Sequence, residues 1–219
     1  MVRTVVFDLF HTLVHGADEA RERVVEEMAV MVGVAPRAFV AAYRDSWPER
    51  LVRWDVEETV RILAGRLGTT PSDEQVARAA EHRRALARRV VGAVSPGTLE
   101  ALDALRADGY RLGLVSNATS DSAQAWRDGP LAARFDAAVF SCEAGLAKPD
   151  PAIYLAAAER LGTEPAGCVF VGDGADGELA GAAAVGMTVI RTREHRDTDP
   201  GWPGPVLDKL AELRDRLPA

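Results

Sequence analysis

Lysine is nearly missing from this chain. Of 26 basic residues only Lys148 and Lys209 are lysine, and the rest are arginine. Against that background a lysine at 148 is expected to be there for its chemistry. Cysteine is scarce as well: Cys142 and Cys168 are the two present. Both sit at or beside strand-like runs and read as small buried residues, so a disulfide framework is not indicated. No apolar run approaches the roughly 20 residues of a membrane span. The run from Val2 to Phe10 is too short for a secretory leader and Asp8 interrupts it, which leads us to expect a cytoplasmic protein. Positive charge is not in excess either. The net charge is −7, which argues against nucleic acid as a partner. Internal repeats and low-complexity tracts are absent. What remains is an ordinary globular composition, 47% hydrophobic and 27% charged over 219 residues, enough for one sizeable domain or a core with a smaller companion.

Five runs read as strands: Thr4 to Leu9, Arg111 to Ser116, Ala137 to Ser141, Cys168 to Gly172 and Thr188 to Arg191. They are short and apolar on both faces, and helical patterns separate them. That is the mark of a parallel sheet covered on both sides. The expected fold class is therefore α/β, a Rossmann-like parallel core of about five strands. Helices are expected over Thr98 to Ala107, over Pro151 to Leu161 with proline in its first turn, and over Val206 to Leu217 at the surface. The Pro/Gly/Asp-rich stretch from Glu194 to Pro205 reads as a surface loop.

Between Gly16 and Val91 strand signals vanish. Glu19 to Val32, Pro36 to Trp47, Glu57 to Leu67 and Ser72 to Val91 read as helices separated by Gly or Pro breaks, and Ser72 with Gln75 reads as a capping box. We expect residues 16–92 to form an all-helical cap inserted into a core made of residues 1–15 and 93–219.

The polar residues that end these runs carry the chemistry. The carboxyl ends of parallel strands converge on one sheet edge, where ligands bind. Asp8, Ser116 and Asp173 each lie at such an end, and Lys148 lies in a loop entering a helix. Two carboxylates and a lysine brought together there suit a divalent cation and a phosphate. Mg²⁺ takes oxygen ligands, the Ser116 hydroxyl and the Asn117 backbone N–H suit phosphate oxygens, and Lys148 neutralises charge.

The order and content of these motifs resemble the haloacid dehalogenase superfamily of hydrolases over roughly residues 3–192. The resemblance implies that Asp8 is a nucleophile forming an aspartyl-phosphate and that Thr12 orients its loop at the phosphate. It implies Ser116 and Lys148-Pro149 as the second and third motifs. Gly172-Asp173, with Glu178 behind it, is implied as the acidic motif that holds Mg²⁺. Gly181 and Gly186 are implied as close-packing positions. The expected substrate is a small phosphorylated metabolite, and the expected state a monomer or homodimer.

One position departs from the pattern. Phosphatases of this family usually carry a second aspartate two residues past the nucleophile, as general acid and base. Here that residue is Phe10, as in the dehalogenase branch. Its backbone carbonyl is still expected among the metal ligands. The acidic fourth motif favours phosphate chemistry, while a 2-haloacid dehalogenase and a weakly active or non-catalytic phospho-ligand binder stay open. His11 is a candidate substitute acid/base. His15, His82 and His195 read as surface or linker residues. Arg53 and Trp54 of the cap, near Arg44, Trp47 and Arg50, are candidates for holding an anionic or ring-bearing substrate. Arg83, Arg84, Arg88 and Arg89 read as an exposed helix face.

Overall fold

The computed structural model of the chain describes residues 4–16 and 18–217. Strand β1 (Thr4–Phe7) opens it. Helices α1 (Asp18–Met31), α2 (Pro36–Asp45), α3 (Trp47–Val52), α4 (Val56–Arg66) and α5 (Asp73–Gly92) follow. Then come α6 (Pro96–Ala107), β2 (Arg111–Ser116), α7 (Ser120–Arg127), β3 (Ala137–Phe140), α8 (Ser141–Ala144), α9 (Pro151–Arg160) and β4 (Cys168–Gly172). The chain ends with α10 (Glu178–Ala184), β5 (Thr188–Thr192), β6 (Val206–Leu207) and α11 (Leu213–Arg216).

The strands form one parallel sheet in the order β3-β2-β1-β4-β5-β6. Strand β1 lies at its centre, with Phe7 opposite Leu114 on one side and Val171 on the other. The Asp8 amide extends the ladder to the Val171 carbonyl at 2.9 Å. Asp8, Ser116 and Asp173 thus leave the sheet side by side, at the point where the strand order turns outward in both directions. Alternate β1 residues feed opposite layers. Val5 and Phe7 pack with Leu102 and Leu105 of α6, while Val6 packs with Ile153 and Tyr154 of α9 and Leu179 of α10. Both faces are dry, which is why the strands read as unbroken apolar runs.

Helices α1–α5 enclose a second apolar cluster that includes Met28, Phe39, Leu63, Val76 and Leu86. Asp55 caps α4 by accepting from the Glu58 amide at 2.8 Å. Ser72 and Gln75 form the expected reciprocal cap. No helix among the described residues is long and apolar enough to cross a membrane.

Four expectations change. The helix expected over Pro36 to Trp47 ends at Asp45 and restarts as α3. Ser46 turns its hydroxyl back to the Tyr43 carbonyl at 2.8 Å, and Pro48 has no N–H to continue the ladder. The helix expected over Val206 to Leu217 is mostly not one. Val206 and Leu207 pair with Arg191 and Thr192 on the open edge of β5, so the sheet has six strands, and α11 keeps only Leu213–Arg216. The open edge of β5 supplies their backbone partners, the Arg191 amide donating to the Pro205 carbonyl at 2.9 Å and the Arg193 amide to the Leu207 carbonyl at 3.0 Å. Gly181 is a close-approach site, where a Cβ would lie 2.8 Å from the Pro149 carbonyl oxygen, but Gly186 faces open space and instead holds φ +91° past the end of α10. Arg83 is not on an exposed face: it turns inward and is buried, unlike Arg88 and Arg89.

Candidate active site

Asp8, Lys148, Asp173 and Glu178 meet at the centre of the sheet's carboxyl edge, and all four are buried. Lys148 Nζ donates to Asp8 Oδ1 at 2.5 Å and also to Glu178 Oε2. Asp8, Asp173 and Glu178 each present a carboxylate oxygen within 4.8 Å of the others. Glu178 reaches this point because α10 begins there; its other oxygen accepts from the Gly174 amide at 3.0 Å. Tyr154 bonds the Glu178 carbonyl at 2.9 Å. Asp173 Oδ1 accepts from the Ala175 amide at 3.2 Å, and Oδ2 accepts from the Thr198 hydroxyl.

Three carboxylates around one ammonium leave negative charge in excess inside the protein. Burial pushes Asp8 above the ordinary carboxylate range, against the pull of Lys148. Burial and then the Asp8 charge push Glu178 up to about 8. Burial alone would lower Lys148, but Asp8 and Glu178 outweigh it and hold its ammonium above the ordinary value. Like charges this close and this dry are costly unless a cation joins them. The donor set, all hard oxygen, fits a divalent cation such as Mg²⁺.

Among the described residues, two buried hydroxyls here have no hydrogen-bond partner: Ser116 Oγ and Thr12 Oγ1. Each is free to meet the oxygens of a ligand. Asn117 behaves differently. Its side chain accepts from the Lys148 amide at 2.8 Å and donates to the Lys148 carbonyl at 3.1 Å and to Asp176 at 2.9 Å. It clamps the lysine loop to the loop after β4. It is the only asparagine in the sequence, a signal that sequence reasoning passed over. Thr198 was also missed, because it lies in the stretch that reads only as a surface loop.

The remaining candidates scatter. Phe10 turns its ring beneath the Arg21 guanidinium, 4.7 Å from the ring centre, and forms part of the wall of a cavity of about 440 Å³ between the helical block and the sheet edge. His11 adopts φ +61° and sets its ring 6.1 Å from that of His15, which in turn lies 5.8 Å from His195. Arg53 is exposed and Trp54 is buried beside Arg66; neither lines the cavity, whereas Arg44, Trp47, Arg50 and Arg83 do.

The family profile for haloacid dehalogenase-like hydrolases matches residues 2–186. The chain is 30% identical to a glyceraldehyde 3-phosphate phosphatase of Methanopyrus kandleri, covering 98% of this chain and 97% of the relative. It is 31% identical to a phosphoglycolate phosphatase of Salmonella typhimurium, over 85% of this chain and 81% of that one. A solved 2-haloacid dehalogenase from Pseudomonas syringae pv. Tomato superposes with a TM-score of 0.74 at 25% identity, covering 98% and 97% of the two chains. With its sheet order, its buried acidic cluster and these matches, the chain belongs to the haloacid dehalogenase-like hydrolase family.

Proposed function

We propose that this protein is a Mg²⁺-dependent phosphatase that hydrolyses a small phosphorylated metabolite by way of an aspartyl-phosphate on Asp8. One observation carries the reading: Asp8, Asp173 and Glu178 gather three buried carboxylate oxygens within 4.8 Å of one another. Displacement of halide from carbon by a carboxylate needs no divalent cation, whereas phosphoryl transfer uses one to offset charge. The relatives named as phosphatases support a small phosphorylated substrate.

Asp8, Asp173, Glu178 and the Phe10 backbone carbonyl would hold the ion, which supplies charge neutralisation between carboxylates and phosphate. Asp8 attacks phosphorus in line; the Asp8 O–P bond forms as the ester P–O bond breaks. Lys148 orients the attacking carboxylate and offsets its charge. The Ser116 and Thr12 hydroxyls and the Asn117 backbone N–H donate to the phosphoryl oxygens. Water then cleaves the aspartyl-phosphate. Phe10 has no proton to give the leaving alkoxide, and His11 is the neighbouring titratable group on that loop. The helical block, residues 16–92, acts as a cap whose closure excludes bulk water.

The test is phosphate release from a panel of phosphorylated metabolites with Mg²⁺ or EDTA, with Asp8→Asn as control. Turnover that needs the metal and vanishes in the variant supports the reading, and robust turnover in EDTA ends it. Phe10 and the dehalogenase likeness favour a second reading, 2-haloacid dehalogenation. It predicts halide release that persists in EDTA.

A further inference from the structure

The cavity between the helical block and the sheet edge carries four arginines on its wall, Arg21, Arg44, Arg50 and Arg83, against one carboxylate, Glu22. Its floor includes Phe10, two residues past Asp8, and Thr119, three past Ser116. Three residues span at most about 11 Å, so the cavity adjoins both loops that would hold the reacting phosphate.

Two of those arginines lie inside the protein. Arg50 is 5% exposed and Arg83 6%. A buried guanidinium is costly unless an anion compensates it. Arg83 has one: its Nη2 lies 3.3 Å from Asp121, and its Nε donates to the Tyr43 hydroxyl at 3.2 Å. Arg50 forms no ion pair among the described residues. It stacks on Tyr43 and Trp47, 3.9 and 5.1 Å from their ring centres. It donates from Nε to Ser46 Oγ at 3.1 Å and from Nη2 to the Tyr43 carbonyl at 2.8 Å. These contacts aim the guanidinium; none neutralises it. Asp121 attracts both arginines, and burial together with the charge of Arg83 lowers the affinity of Arg50 for its own proton. Arg44 lies 3.6 Å from Asp45, so the positive charge to spare on this wall is carried by Arg50.

We infer that this arginine wall binds a second anionic group of the substrate, so that the protein selects phosphomonoesters bearing a carboxylate or a second phosphate at their far end. The inference rests on the phosphatase reading above. Guanidinium groups fixed by stacking meet such oxygens as a planar fork. Phe10, Val25 and Val40 on the same wall supply apolar surface for the short carbon chain between. An ester with a neutral tail leaves Arg50 desolvated and unpaired, and polar sites discriminate strongly against ligands that fail to pair with them.

The experiment compares kcat/KM for three three-carbon esters: glycerol 1-phosphate, 3-phosphoglycerate and 1,3-propanediol bisphosphate. At least a tenfold preference for one or both anionic tails is expected, and the better of the two identifies the second group as carboxylate or phosphate. The preference should collapse in Arg50→Gln, mainly through KM. Arg44→Gln, whose side chain is 77% exposed, should lower it several-fold without threatening the fold. Equal use of the neutral-tailed ester by the wild type, or equal losses on all three esters in the variants, overturns the inference. Failure to release phosphate from all three and from p-nitrophenyl phosphate rejects the phosphatase reading separately. The wall is then read by calorimetry with 3-phosphoglycerate. A tenfold weaker binding by Arg50→Gln sustains it, and unchanged or undetectable binding overturns it.

Discussion

Lys148 Nζ and Asp8 Oδ1 lie 2.5 Å apart, and both side chains are nearly closed off from solvent. The pair joins residues 140 positions apart in the chain and is the electrostatic centre of the site.

Lys148→Met removes the ammonium that offsets three crowded carboxylates. Breaking a buried pair from one side costs about 3–5 kcal/mol. The urea midpoint in EDTA should fall accordingly, and phosphate release should drop at least a hundredfold. A variant as stable as the wild type in EDTA would contradict this account of the site.

A cation that binds only the folded site raises stability by mass action, about 2.7 kcal/mol at a hundred times its Kd. Thermal melts should therefore shift upward with Mg²⁺ relative to EDTA. The shift should disappear in Asp173→Asn, since Asp173 supplies one of the three clustered carboxylates. An equal shift in that variant places the metal elsewhere.

Thr198→Val deletes the hydroxyl that donates to Asp173 Oδ2. Loss of one hydrogen bond to a charged group costs about 1.5–3 kcal/mol. We expect Mg²⁺ affinity, followed by titration of activity, to fall about tenfold while KM for substrate holds. Unchanged metal affinity would show that Thr198 does not position Asp173.

Asp121→Asn withdraws the carboxylate 3.3 Å from Arg83 and leaves that buried guanidinium without its counter-ion. It should destabilise the protein by about 3 kcal/mol in chemical denaturation, because this pair ties α5 to α7. Combining it with Arg83→Met should cost less than the two single losses added together, the signature of a direct interaction. Additive losses would dissolve the pair.

Cys168 is buried, whereas Cys142, expected to be buried as well, is only half-buried; burial still pushes both thiols up to about 11. The thiolate is the reactive form, so at pH 8 only about one thiol in a thousand is armed. Alkylation of the native protein by iodoacetamide should be slow at pH 8 and accelerate as pH rises toward 11. Rapid labelling of Cys168 at pH 8 would contradict its burial.

Much of the fold was legible because buried parallel strands and amphipathic helices write themselves locally. The runs at 4–9, 111–116, 137–141, 168–172 and 188–191 became β1 to β5 with ends shifted by a residue or two, and the Ser72–Gln75 box caps α5 as read. Strand β6 was not legible. Val206 and Leu207 carry no strand pattern of their own, and the open edge of β5 recruits them. Arg83 misled for a related reason. In sequence it belongs to a run of surface arginines, and only the packing of α5 on α7 turns it toward Asp121. At the site, Asp8, Ser116, Lys148 and Asp173 stood out as polar stops at strand ends or a helix entry. Thr198 lies on a loop without periodicity, so nothing nearby in sequence announced its contact with Asp173.

Sequence alone determined five of the strands, the helical character of residues 16–92, the carboxylate at the end of β1 and the charge types available to a site, because each follows from side-chain chemistry and short-range periodicity. Tertiary structure decided which of those groups share a low-dielectric space. It brought Glu178 and Lys148 to Asp8, and it placed Arg50 rather than Arg53 against the cavity. Distances between remote residues are set by how the layers pack, and no local pattern encodes them.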